Sequence, residues 1–323
     1  MIHFRMITVL LLLTGIAGAA PVEEWNRTFD LGGVDLAKSV QQTSDGGYII
    51  AGYNYGSDSE GAFLIKTDAD GNQQWSRIFE GYANSVEQTV DGGYILLGGT
   101  YIGGIGLDIW LIKTDSAGNE VWKTTFKGND VSARSVMQTS DQGYIIAGSF
   151  SPFSISSIIF GPNYDALLIK TDARGNEEWK KTYGGRGRDY ASSVQQTEDG
   201  GYIIAGLTGE KFKGGDTVVA NAWLIKTDID GNKVWEKTFG GDGFDQFSSV
   251  QQTGDGGYIL AGSTTSYGAG TLDIPFPVSD AWLVKVSGEP EGTAMPKKIP
   301  AFEALLFFIT LAAVYVRGLW RGK

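Results

Sequence analysis

One pattern recurs along this chain: Ser-Val-x-Gln-Thr, an Asp-x-Gly-Tyr turn into an apolar run, Leu-Ile/Val-Lys, then Gly-Asn-x-x-Trp. The tryptophan that ends it stands at Trp25, Trp75, Trp122, Trp179 and Trp235, at spacings of 50, 47, 57 and 56 residues. A period of that size belongs to propeller blades or solenoid turns, whose repeats bury their apolar faces only against a neighbour.

Let the four segments be a, b, c and d. The first d segment, Val22–Phe29, has no a, b or c before it. The fifth set, Ser249–Thr253, Tyr258–Gly262 and Ala281–Val286, supplies a, b and c with no d after it. A linear stack has no reason to divide a unit in this way, whereas a ring closes when the first d strand pairs with the last a, b and c strands. The expectation is an all-β fold, a five-bladed β-propeller of four-stranded blades over residues 20–287, its ring closed by the N-terminal strand joining the last blade.

The segments read as strands. Tyr48-Ile49-Ile50-Ala51-Gly52 and its copies at Tyr94, Tyr144, Tyr202 and Tyr258 are apolar runs bounded by Gly and Asp, too short for buried helices. Near-continuous apolarity suits strands covered on both faces. Asp45-Gly46-Gly47 between a and b is tight-hairpin chemistry, repeated at Asp91, Asp199 and Asp255, with Asp141-Gln142-Gly143 the one variant.

Two terminal segments stand outside the repeats. Residues 1–19 carry Arg5, the apolar stretch Met6–Leu13 and Ala17-Gly18-Ala19, the pattern of a secretory signal peptide cut after Ala19. An uncleaved N-terminal anchor is the other reading, although the run is short for a span. After a Pro/Gly-containing linker at 288–300, residues 301–323 include the uncharged run Ala304–Val316 followed by Arg317, Arg321 and Lys323. That order predicts a C-terminal membrane anchor with the basic end in the cytoplasm and the repeats on the extracellular side of the cell membrane.

Charge and composition remove whole classes of function. The chain has 37 acidic and 26 basic residues, a net −11, and an acidic surface repels phosphate backbones, so no nucleic-acid partner is expected. Cysteine is absent and the one histidine, His3, lies in the signal segment. Cys-His or Ser-His-Asp nucleophile systems and His/Cys zinc sites are therefore excluded from the exported part. Carboxylate chemistry, oxygen-ligated cations and aromatic stacking remain.

Strand order places any site. The a–b and c–d turns share one end of the blades and are nearly identical in every repeat. The b–c loops and d–a crossings share the other, near end, and the b–c loops differ: Tyr53–Gly61, Gly99–Leu107, Ser149–Tyr164, Leu207–Ala220 and Ser263–Ser279. Variable loops on a fixed scaffold are where recognition is carried. The d–a crossings add Asp35, Asp130, Asp189 and Asp245 close to the start of strand a, with Glu80 in the second crossing and Tyr82, Tyr190 and Phe244 beside them. These eight residues are the candidate ligand-binding set. Asp35, Asp130, Asp189 and Asp245 are also the candidate calcium ligands, since hard cations and sugar hydroxyls both favour clustered carboxylates; apart from that candidate ion no cofactor is expected. The competing reading is that each Asp accepts backbone N–H bonds within its own Gly-rich turn.

Other repeated residues read as structural. Asp68-Ala69-Asp70-Gly71-Asn72 opens like a calcium loop, but the second acid fails in the copies at Asp115 and Asp172, so a hairpin turn braced by the first Asp accounts for all of them. Lys66, Lys113, Lys170, Lys226 and Lys285 hold one position of strand c, which suits pairing with a repeated carboxylate or snorkelling at the blade edge. Among the acids, Glu80 and Glu87 are the blade-specific ones.

The unit Gly-Gly-Tyr-Ile-Ile-Ala-Gly, Asp-Ala-Trp-Leu-Ile-Lys-Thr-Asp, Gly-Asn-x-x-Trp is similar to the SBBP-type β-propeller repeats of secreted and surface-anchored proteins. Pro300-Ala301-Phe302 with the apolar run and basic end resembles the archaeal PGF-CTERM sorting signal, with Ala301 where that signal has Gly. The resemblance implies a surface protein and carries over no catalytic residue; the chain is expected to be a monomer. The expected function is a non-catalytic module that binds a glycan, an envelope protein or a cation, with a carboxylate-based extracellular glycosidase or polysaccharide lyase as the alternative. Near-identical blades argue against the enzyme, because acid and base must sit in differently tuned environments.

Overall fold

The computed structural model describes residues 23–56, 60–102, 106–127, 131–151, 163–185, 187–212, 218–267 and 279–288. Both terminal segments discussed above therefore lie outside the described residues. The described residues form strands and turns, with no helix among them. Sheet one is β1 (Val34–Gln42), β2 (Tyr48–Tyr55), β3 (Gly61–Thr67) and β4 (Gln73–Phe79); sheet two is β5 (Tyr82–Gln88), β6 (Tyr94–Ile102), β7 (Gly106–Thr114) and β8 (Glu120–Phe126). Sheet three is β9 (Val131–Gln138), β10 (Tyr144–Phe150), β11 (Asp165–Thr171) and β12 (Glu177–Tyr183); sheet four is β13 (Arg188–Gln196), β14 (Tyr202–Phe212), β15 (Val218–Thr227) and β16 (Lys233–Phe239). The last has three strands, β17 (Asp245–Gln252), β18 (Tyr258–Thr264) and β19 (Asp280–Val286). All pairing within these sheets is antiparallel, in the meander order a-b-c-d, so the five sheets fit five blades.

Each hairpin between a and b is held by the same lock. Thr43 Oγ1 and Gly47 N both donate to Asp45 Oδ1, while Lys66 Nζ lies 2.9 Å from Asp45 Oδ2 and donates to Thr67 O at 2.7 Å. Lys113–Asp91, Lys170–Asp141, Lys226–Asp199 and Lys285–Asp255 repeat it. The repeated lysines are thus paired, and the first four are buried. Glycine at position 47 is obligatory, because a Cβ there would come 2.1 Å from Thr67 O. The hydroxyl of Thr43, with Lys66, holds the Asp45 carboxyl down at about 2. Burial works against Asp91, yet Thr89, Lys113 and Gly93 outweigh it and keep that carboxyl at about 2 as well.

The core lies between sheets. Ile49, Ala51, Ala62 and Leu64 of sheet one pack on Ala83, Val86, Tyr94, Leu96, Trp110 and Ile112 of sheet two. The same contact recurs between sheets two and three, three and four, and four and five. The d-strand tryptophans seal these joints edge-on: Trp75 on Tyr94, Trp122 on Tyr144, Trp179 on Tyr202 and Trp235 on Tyr258, at 5.8–6.1 Å. Hydrogen bonds cross each joint at strand a, as where Gln88 N donates to Gln41 Oε1 at 2.6 Å and Ser44 N to Gln88 Oε1 at 2.8 Å. Glu87 serves as one of these cross-joint acceptors, taking the Gln138 N–H at 2.7 Å, and its burial raises its pKa.

Among the described residues the expected closure of the ring is not formed. Residues 23–30 carry no strand, and β17–β18–β19 has no fourth member. The N-terminal segment instead lies against sheet one, with Trp25 edge-on to Tyr48 at 5.7 Å. A Cβ at Gly71 would come 2.7 Å from Trp25, as one at Gly118 would come 2.6 Å from Trp75. Residues 23–29 therefore take the place a preceding blade's d strand would take, and the tryptophan–tyrosine joint rather than strand pairing fixes them.

Asp91→Ala leaves the Lys113 ammonium buried without its carboxylate and is expected to cost about 3 kcal/mol, whereas Lys113→Met leaves an exposed Asp91 and is expected to cost under about 1 kcal/mol, both read by denaturant unfolding. Because Asp45 and Asp91 are depressed, the stability they contribute is complete above the unfolded value near 4 and is lost as pH falls through about 2. Gln142 has φ 68°, where the other four turns place Gly46, Gly92, Gly200 and Gly256. Gln142→Gly is expected to raise stability by about 0.5–1 kcal/mol, and an unchanged melting point would refute strain at this turn.

Candidate functional site

The five a strands run side by side, and each carries a β-bulge near its start. The bulged residues are Lys38, Asn84, Arg134, Ser192 and Ser248. A bulge leaves its residue out of the ladder and re-aims the side chain, so one residue per sheet, Lys, Asn, Arg, Ser and Ser in turn, is presented at the near end. Lys38 Nζ lies 5.3 Å from the Tyr53 ring centre and Arg134 lies 5.4 Å from that of Tyr190. Asn84 Nδ2 donates to Ala133 O at 2.8 Å.

Around the first of these opens a cleft of about 630 Å³ lined by Lys38, Tyr53, Tyr55, Glu60, Tyr82 and Asn84, among others. Tyr53 meets Tyr82 edge-on at 6.4 Å and is tilted against Tyr55 at 6.2 Å. A second aromatic group stands further along the same end, where Tyr164 stacks on Tyr190 at 5.5 Å with Arg188 5.9 Å from the Tyr164 ring. Three contacts of a cation with an aromatic ring, Lys38–Tyr53, Arg134–Tyr190 and Arg188–Tyr164, thus lie at the near end of an acidic protein.

The crossing acids do not join this cleft as a cluster. Asp35 Oδ2 accepts from Leu31 N at 3.0 Å and its Oδ1 from Asn54 Nδ2 at 3.1 Å. Asp189 is buried and accepts from Gly185 N, Thr208 Oγ1 and Gly209 N at 2.9, 2.6 and 2.8 Å. Asp245, also buried, accepts from Gly241 N, Ser266 Oγ and Thr264 Oγ1. Burial raises the Asp245 carboxyl, but Ser266, Thr264 and backbone donors outweigh it and hold it below the ordinary value. Each carboxylate ties its own crossing to its own b–c loop. Asp130 lies outside the described residues. Among the described residues no three His, Asp or Glu side chains gather as a metal cage.

The remaining sequence candidates divide. Tyr82 lines the cleft and Tyr190 lies in the second aromatic group. Phe244 is fixed through its backbone, donating to Thr265 Oγ1 at 2.6 Å and accepting from Thr265 N at 2.9 Å. Glu80 is 3.8 Å from Lys123 on a d strand. The calcium-like loops are hairpin turns: Asp68 Oδ1 accepts from Asp70 N and Asn72 N, and Asp115, Asp172 and Asp228 do the same.

Sequence reasoning did not single out the bulged residues or Asp165. The signal for the bulge was one varying position inside Ala/Phe-x-Ser-Val, with Lys, Asn, Arg, Ser and Ser in turn. Asp165 stands across Gly184 from Asp189: a Cβ there would come 2.8 Å from Asp165 Oδ1 and 2.4 Å from Asp189 Oδ2. Burial, with the Asp189 charge adding to it, raises the Asp165 carboxyl.

No family model matches the chain, and no curated protein matches it, so the SBBP-type resemblance rests on its residues alone. Among solved structures it is similar to the Pan2 WD40 domain of Neurospora crassa, 12% identical with a TM-score of 0.49, over 79% of this chain and 65% of that one. It is also similar to a thermostable family-43 glycoside hydrolase, 11% identical with a TM-score of 0.43 over 84% and 99% of the chains. An endo-arabinase from Bacteroides thetaiotaomicron is 11% identical with a TM-score of 0.41 over 81% and 97%. Likeness at this level transfers no activity.

Asp189→Asn and Asp245→Asn are each expected to lower stability by about 1–3 kcal/mol, equally with and without calcium, because the lost bonds are local. A melting point that calcium raises in the native protein but not in these variants would show a cation site instead. The contribution of Asp245, its carboxyl being depressed, is complete above the unfolded value and lost as pH falls through the folded one.

Proposed function

We propose that this chain is a non-catalytic binding module of the cell surface, a propeller-like array of blades whose near-end cleft takes a saccharide. The observation that carries the reading is the cleft of about 630 Å³ whose wall combines Tyr53, Tyr55 and Tyr82 with Lys38 and Glu60. Tyrosine rings offer an apolar face to the C–H face of a sugar ring, and flanking charged and amide groups suit its hydroxyls. Tyr53, Lys38 and Glu60 differ from the residues at the same repeat positions of the other blades, as a recognition surface on a repeated scaffold requires. Export by residues 1–19 and attachment through 301–323, as a plain anchor or after processing of the sorting-like end, would put the cleft outside the cell.

A glycan array probed with the full chain in detergent tests the reading. Binding is expected, and Tyr53→Ala and Tyr82→Ala are each expected to weaken it about tenfold. Absence of binding, or binding that both variants leave unchanged, would refute the cleft.

One observation favours a second reading. Asp165, raised by burial, stands beside the hydrogen-bonded Asp189, and two carboxyls in unlike settings are what a glycosidase needs. Release of reducing ends from the bound glycans, lost in Asp165→Asn, would decide for the enzyme.

A further inference from the structure

Four joints between neighbouring sheets are closed in this molecule and two faces of the same kind are open. On the outer face of sheet one, Val40 is 66% exposed, whereas Val86, Val136, Val194 and Val250 at the same repeat position are 5–7% exposed. On the outer face of the last sheet, Leu283 is 70% exposed, whereas Leu64, Leu111, Leu168 and Leu224 are each 0% exposed. Ala37 beside Val40, and Ala261 and Ala281 beside Leu283, are exposed in the same way. Sheet one and the last sheet do not pack together as successive sheets do.

The two faces are complementary, because the molecule contains their fit four times. Ile259, Ala261, Ala281 and Leu283 stand where Ile203, Ala205, Ala222 and Leu224 meet the next sheet. Val40, Tyr48 and Ile50 stand where Val250, Tyr258 and Leu260 receive the previous one. The polar hooks repeat as well. Ser39 Oγ lies 3.2 Å from Val86 N and Ser85 Oγ 3.4 Å from Val136 N, and the corresponding pair across the open ends is Ser249 and Val40. The three-stranded last sheet lacks a d strand, and residues 23–29 are a d segment without a sheet, already seated on Tyr48 through Trp25.

We propose that these faces join one copy of the chain to the next, head to tail, with the last sheet of one copy seated on sheet one of its neighbour. This goes beyond the saccharide reading and does not depend on it. Residues 23–29 of the neighbour then lie along the free edge of β19 and complete its sheet by strand addition. The argument for a second copy rather than the same chain is that the two faces stand open here, Val40 being 66% and Leu283 70% exposed, while residues 23–29 are seated on sheet one and not on the last sheet. Head-to-tail contact is heterologous, so it builds chains of copies or closes into a larger ring.

The full chain in detergent tests this by sedimentation, and its lack of native cysteine allows a disulfide test as well. The native protein is expected to gain mass with concentration. Val40→Arg and Leu283→Arg each place a charge in one apolar face and are expected to weaken association tenfold or more, roughly, leaving monomers. Mixing the two variants is expected to give a dimer and nothing larger, since one intact face of each kind remains. In the cysteine test, Val40→Cys and Ser249→Cys chains are expected to form a covalent dimer when mixed, and the double variant a ladder of multimers. A double variant that oxidises within one chain at unchanged mass would overturn the proposal in favour of ring closure. Native protein that stays monomeric, with no cross-link in the mixture, would overturn it as well. Both arginine positions are exposed, so circular dichroism like that of the native protein is expected, and the cysteine result stands if either fails to fold.

Discussion

No sheet in this protein owns a core. At each of the four joints the large apolar side chains of strands b and c are covered by the neighbouring sheet, so stability is a property of joints, and each joint repeats one arrangement. Aliphatic residues of one sheet meet a valine, a tyrosine and a bulky strand-c residue of the next, and a d-strand tryptophan closes the rim. Stability that adds repeat by repeat needs capped ends, because a terminal blade has the same apolar face with nothing against it. The exposure of Val40 and Leu283 is the direct consequence of that arithmetic.

Within a blade, the Thr-Asp-Gly turn and the strand-c lysine act as one unit. The lysine is carried into the apolar interior by its position in the strand, and its ammonium is balanced there by a carboxylate and a backbone carbonyl. The exception proves the cause: Lys285, in the blade with no neighbour beyond it, makes the same ion pair with a side chain that is 43% exposed. The pairing is therefore local, and the burial is supplied by the adjacent sheet.

The near end is where identical blades become unlike. A bulge at one position of each a strand turns out a Lys, an Asn, an Arg and two Ser, while the crossing acids stay behind as braces. Carboxylates with hydrogen bonds from turn amides and hydroxyls are committed to holding loops in place, which is why Asp189 and Asp245 are buried although they flank the recognition surface. Tyr53, Tyr55, Tyr82 and Lys38 line the cleft instead.

Periodicity in the sequence determined the strands, their order within a blade, the number of sheets and the structural role of the repeated Lys, Trp and Asp-Gly turns, because each depends on contacts within one repeat or between adjacent ones. The end of the sheets that carries variation was legible for the same reason. Tertiary structure alone decided the rest. The bulges depend on register between two strands, and the sequence shows only a varying letter there. Asp165 and Asp189 belong to different blades and meet only because two sheets lie side by side. Above all, a split repeat states that a d strand and a three-stranded sheet are left over, but whether they meet depends on the angle at each of four joints, which packing sets and no single repeat encodes.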